Sequence, residues 1–173
     1  MNLIRAAALS ASLIASTTGL AREIDTVLVV SIDALHPDAL TEAVAPTLHA
    51  LMRPGHFTLQ GRSVDPPMTL IAHTAMLTGL SPQASGKRDN DWQPGAPRVG
   101  HPTFLDDAKL RGFATAYYYA KPKLGYLVSA GVDEHALAPE DGVERARASL
   151  REPGRRFVFL HISGLEYVGM RSG

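Results

Sequence analysis

Thr69 stands where an irregular Pro66-Pro67 segment gives way to the apolar run Leu70 to Leu77, so its hydroxyl falls at the start of a predicted helix. A helix N-terminus offers free N–H groups and a partial positive charge, which lower the cost of an alkoxide and of a phosphate drawn up against it. Upstream, Thr26-Val-Leu-Val-Val-Ser-Ile-Asp33 reads as a buried strand that ends in a carboxylate. An acid and a hydroxyl can therefore meet at the carboxyl edge of one sheet. Asn90 lies in a polar loop further on, and its amide is a suitable donor to a non-bridging phosphoryl oxygen. Each residue also has a plainer reading: Asp33 and Thr69 as helix caps, Asn90 as a turn residue.

The elements that position these groups follow from pattern. After the strand at about Thr26 to Ile32, Asp33-Ala-Leu-His-Pro37 leads into a new element, and Pro46-Thr-Leu-His-Ala-Leu51 reads as a short helix with proline in its first turn. Phe57 to Ser63 alternates loosely and predicts a strand carrying the chain to Thr69. Helix then runs to about Thr78, with Gly79 at its end. Ser81 to Pro102, rich in Gly, Pro, Asp and Asn, reads as an ordered loop over the site. Helices are predicted over Thr103 to Arg111 and Pro139 to Leu150, and strands over Phe113 to Tyr119 and Phe157 to His161. Strands alternating with helices predict an α/β fold, a mainly parallel sheet with helices on both faces.

The order of these pieces resembles the alkaline phosphatase superfamily, and within it the type I phosphodiesterase and nucleotide pyrophosphatase branch. The matching residues are Val30-Ser-Ile-Asp-Ala-Leu35, Pro66-Pro-Met-Thr69 through Gly79-Leu80, and Gly86 with Asn90-Asp-Trp92. The likeness continues through Pro102-Thr-Phe-Leu105, Gly112-Phe-Ala-Thr-Ala116, Lys121-Pro-Lys-Leu124 and Arg156-Phe-Val-Phe-Leu-His161. The resemblance implies an alkaline-phosphatase-like fold, with Asp33 as a ligand of one of two zinc ions and Thr69 as the nucleophile that also touches that zinc. Asn90, 21 residues after Thr69, falls at the family's phosphoryl-binding asparagine. Where the family places an aspartate and, four residues later, a histidine for the second zinc, the sequence reads Glu166 and Met170. Glutamate still suits zinc, whereas a thioether is a poor ligand among oxygen and nitrogen donors. Of the implied protein ligands besides Thr69, Asp33 is matched outright and Glu166 conservatively. The expectation is a truncated, N-terminal part of the domain that holds at most one zinc, weakly.

His73 falls on the same helix face as Thr69 and is expected to be a hydrogen-bonded structural residue. His36, His49, His56, His101 and His135 show no ligand spacing with one another, and His161 reads as a strand residue next to the site; all six are read as structural too. A sulfatase reading needs a cysteine or serine followed by a Pro and Arg pattern, and Thr69-Leu-Ile-Ala-His73 has neither. A dinucleotide-binding reading fails because Asp33-Ala-Leu-His-Pro37 has no glycine.

The 173 residues carry 17 acidic and 17 basic side chains and no cysteine. No field gathers a nucleic acid polymer or an anionic membrane, and disulfides and thiolate metal sites are excluded. Residues 1–21 combine Arg5, an apolar stretch and Gly19-Leu-Ala21, the pattern of a cleaved secretory signal. The expectation is that residues 22–173 lie in the periplasm or outside the cell, with no membrane attachment after cleavage; the alternative is a buried helix or a retained anchor. The function expected is zinc-dependent hydrolysis of a small phosphodiester or phosphomonoester through Thr69. The alternative is a catalytically inactive remnant acting as a binding or interaction module.

Overall fold

The computed structural model describes residues 24–166. The leader at residues 1–21 and the position of Met170 lie outside them. The chain runs β1 (Thr26–Ile32), α1 (Pro46–Met52), α2 (Thr69–Thr78), α3 (Pro82–Ser85), α4 (Phe104–Leu110), β2 (Ala114–Tyr119), β3 (Glu134–Leu137), α5 (Gly142–Arg151) and β4 (Arg156–Ile162). A 3-10 turn, Pro122–Leu127, follows β2.

All pairings are parallel and the strand order is β1-β4-β2-β3. Thr26 faces Arg156 and Ile32 faces Ile162 in the β1–β4 register. The ladder extends one residue further, as the Asp33 N–H donates to the Ile162 carbonyl at 2.9 Å. The period of two sorts β2 and β4 into two faces. Tyr117, Tyr119 and Phe159 pack with Leu70 and Leu77 of α2 and Leu105 of α4, while Ala116, Tyr118, Val158 and Leu160 pack with Ala146 of α5. Helices therefore cover both faces, as expected from the alternation of elements.

Helix ends follow their local chemistry. Thr103 caps α4, accepting from the Asp106 N–H, and the Asp106 carboxylate accepts from the Thr103 N–H in return. Gly79 closes α2 at φ 70°, in the left-handed region where glycine is not penalised.

Three readings need correction. Phe57 to Ser63 forms no strand; among the described residues no strand pairs with it, and loose alternation without a partner leaves the backbone bonds of a strand unmade. β1 is not buried on both faces but forms a sheet edge, with Leu28 46% and Val30 44% exposed. Those side chains share the face of Val158 and Leu160, and α5 packs on β4 and β2 instead. The helix expected over Pro139 to Leu150 begins at Gly142, after a turn. Among the described residues no helix is long and apolar enough to cross a membrane.

Candidate functional site

The carboxyl ends of three strands and the start of α2 converge on one place. β1 delivers Asp33, which is followed at once by Ala34 in a left-handed backbone conformation, φ 60°. Such a conformation costs a side-chain-bearing residue about 1 kcal/mol or more, and here it turns the chain sharply away after the carboxylate. β2 leads through Ala120 to Lys121, β4 carries His161, and the turn after it brings Glu166. Thr69 is the first residue of α2. An open pocket of about 450 Å³, lined by Asp33, Ala34, Ser63, Pro67, Thr69 and Glu166 among others, gives onto this cluster.

Lys121 lies at its centre and is only 6% exposed. Its ammonium donates to Asp33 Oδ2 at 2.6 Å and to Thr69 Oγ1 at 3.0 Å, and pairs with Glu166 Oε2. Thr69 Oγ1 also donates to Asp33 Oδ2, at 3.4 Å. Burial on its own would raise the Asp33 pKa, but His161 and Lys121 hold that carboxyl well below the usual range. Burial works against the Lys121 ammonium too, and the carboxylates of Asp33 and Glu166 outweigh it and raise its pKa.

Two imidazoles complete the cluster, and their neighbours fix their tautomers. His73 Nδ1 lies 2.7 Å from the Thr69 carbonyl, which can only accept, so Nδ1 carries the proton. Its Nε2 then accepts from the Ser31 hydroxyl at 2.8 Å. Burial lowers the His73 pKa and keeps the ring neutral. His161 Nδ1 accepts from the Ala120 N–H at 3.2 Å, so its proton sits on Nε2, 3.2 Å from Asp33 Oδ2. Donor atoms of Asp33, His73 and His161 fall within 4.8 Å of one another, close enough to be a possible metal site. In the tautomers present, however, neither imidazole offers a free lone pair.

Asn90 reaches the same helix start from the loop. Its side-chain oxygen accepts from the Leu70 N–H at 2.9 Å, satisfying one of the open donors of α2. The amide NH2 is left without a partner among the described residues. The structure thus brings Asp33, Thr69 and Glu166 onto one ammonium, with Asn90 beside them across the first turn of α2. The pattern of the sequence did not single out Lys121 or place His161 against Asp33. Lysine at the end of the apolar strand Tyr117-Tyr-Tyr-Ala120 is a signal of the same kind as Asp33 at the end of β1.

The mainly parallel sheet, with helices on both faces and these residues at its carboxyl edge, is an alkaline-phosphatase-like α/β fold. Residues 27–137 match the type I phosphodiesterase / nucleotide pyrophosphatase family, and the chain belongs to that family. No curated protein gives a significant match. Among solved structures, a 2-O GAG sulfatase, a member of the same superfamily, superposes with a TM-score of 0.66 at 17% identity, over 84% of this chain and 36% of the sulfatase. The chain spans about a third of that structure's length.

Proposed function

We propose that this chain supplies the nucleophile side of a phosphoester hydrolase, with Thr69 attacking phosphorus in a small phosphodiester or phosphomonoester. The observation that carries the reading is the setting of the Thr69 hydroxyl: it sits at the open end of α2, accepts from the Lys121 ammonium and donates to Asp33. An alkoxide at that oxygen, its proton lost to water in the open pocket, faces a positive charge and a helix N-terminus, both of which favour it. The free NH2 of Asn90 is placed to donate to a non-bridging oxygen of the phosphoryl group, where charge grows during attack. In the first step the P–O bond to the leaving alcohol breaks, the alcohol takes a proton from water, and a phosphoryl ester of Thr69 remains, which water then cleaves.

The donor set fits a cation, since three oxygens of Asp33, Thr69 and Glu166 already surround an ammonium. These residues would hold a zinc ion, which would supply Lewis-acid stabilisation of the charge that builds on the reacting oxygens. In keeping with the leader pattern, we place the reaction in the periplasm or outside the cell. A second reading, an inactive binding or interaction module, is favoured by the Lys121 ammonium filling the point on which the oxygens of Asp33, Thr69 and Glu166 converge.

The test compares this chain with a version extended by a family C-terminal half, each assayed on an activated aryl phosphodiester with zinc present. Turnover by the extended protein should fall on the order of 100-fold or more with Thr69→Ala, and the 173-residue chain should run near background. Met170→His alone should not rescue the short chain. Robust turnover of the extended protein that survives Thr69→Ala would refute the nucleophile assignment.

A further inference from the structure

The oxygens of Asp33, Thr69 and Glu166 form a cup around one point, and the Lys121 nitrogen occupies it. The ammonium donates to Asp33 Oδ2 at 2.6 Å and to Thr69 Oγ1 at 3.0 Å, and forms an ion pair with Glu166 Oε2. We propose that Lys121 is a resident stand-in for a divalent ion: its ammonium fills the point on which Asp33, Thr69 and Glu166 converge, and a metal ion enters only by displacing it. The proposal rests on these residues facing a cation, and not on Thr69 acting as nucleophile.

Charge and space both make the two cations exclusive. Two carboxylates and one ammonium leave the cluster with a single negative charge, so the fold tolerates its burial without metal. A divalent ion beside a retained ammonium would instead meet a like charge a few ångströms away in a partly buried site, where screening is weak. Zinc–oxygen bonds of about 2.0–2.2 Å draw in the same oxygens that now serve the lysine, so both cannot be served. The neighbouring imidazoles give no way around this. His161 Nε2 carries a proton and His73 Nε2 accepts from Ser31. Either becomes a ligand only after its backbone or hydroxyl bond is given up. Lysine suits a placeholder, being a compact point charge on a four-carbon stem that withdraws by rotation about single bonds.

Calorimetric titration of zinc chloride into the 173-residue chain provides the test, with wild type, Lys121→Met, Lys121→Gln and the double variant Lys121→Met/Asp33→Asn. Both single variants should bind zinc at least ten-fold more tightly than wild type. In metal-free buffer they should melt at a lower temperature than wild type, and zinc should restore the loss. Adding Asp33→Asn should abolish the gain in affinity. Single variants that fold only with zinc present support the proposal as well. Zinc affinity unchanged or weakened in both single variants would overturn it, as would a gain that survives Asp33→Asn or variants unfolded with and without zinc. Binding and melting need no turnover. Equal affinities sink the placeholder and spare the Thr69 reading, whereas failed hydrolysis by the extended protein counts against Thr69 alone.

Discussion

Asn90 carries two separable groups on one carboxamide. Its oxygen completes the first turn of α2 through the Leu70 N–H, while its NH2 faces no protein acceptor among the described residues. Asn90→Ala removes the acceptor and should cost about 1 kcal/mol of stability by urea denaturation, in line with the loss of a helix cap. Asn90→Asp keeps an acceptor and adds a favourable negative charge at the helix start, so its stability should stay within about 0.5 kcal/mol of wild type. In the C-terminally extended protein both substitutions should depress turnover, because both lose the amide donor. A pair of variants that differ in stability yet share the catalytic loss separates the roles of the two groups. Full activity in Asn90→Asp would show that the donor plays no part.

Among elements, α4 is tied to a distant segment through Asp106. Asp106 closes the capping box with Thr103 and also accepts from the Gly131 N–H at 2.7 Å through its second oxygen. A methyl group on Gly131 would stand 2.4 Å from the Asp106 Cα, a clash with backbone that only movement of α4 relieves. Gly131→Ala should therefore destabilise by about 2 kcal/mol or more, read as a drop in Tm. Burial opposes the Asp106 charge, but the Thr103 and Gly131 bonds win and lower its pKa. Lys109 and the Thr115 N–H lower that of Asp133. With both folded values below the ordinary carboxylate range of about 4, this stabilisation is complete at neutral pH. It is lost as the pH falls below about 4 toward the folded values. The urea midpoint should decline on acidification through that window, and less so in Asp106→Asn. An equal decline in both proteins would remove Asp106 from the account.

The same elements show what could be read from sequence. Helices with strong end signals were legible, since Thr103, Gly79 and the prolines in first turns act locally on the backbone. β3 was not, because Glu134-His-Ala-Leu137 is four residues long and draws its conformation from the pairing with Tyr119 and its neighbours. Asp33 and Thr69 were readable as site candidates from position after a strand and before a helix. Lys121 and His161 became neighbours of Asp33 only through the strand order, which places β4 between β1 and β2. No local pattern encodes that adjacency.

At the scale of the whole molecule, the exposed apolar face of β1 is a region of low cohesion. Leu28 and Val30 lie next to the groove formed with Leu35, Leu40, Leu48 and Met52, on a strand with an unpaired edge among the described residues. Flat apolar edges invite strand-to-strand association. Leu28→Lys together with Val30→Thr should change stability by no more than about 0.5 kcal/mol, while light scattering at high protein concentration should show less association than wild type. A large loss of stability would mean that this face is packed in solution.

The position of β4 also sets when the cluster can exist. β1 pairs with β4 across 130 residues, from Thr26 to Arg156, and β1 has no other strand partner among the described residues. During synthesis, Asp33 is made early and must wait, tethered to a strand without its described partner, until β4 emerges. Non-local pairing of this kind is slow. A nascent chain halted at residue 155 can form β2 with β3, yet it holds Asp33 and Lys121 on unconnected pieces. The cluster at this edge is thus assembled only once β4 has been made, and shorter lengths of the chain hold its residues apart.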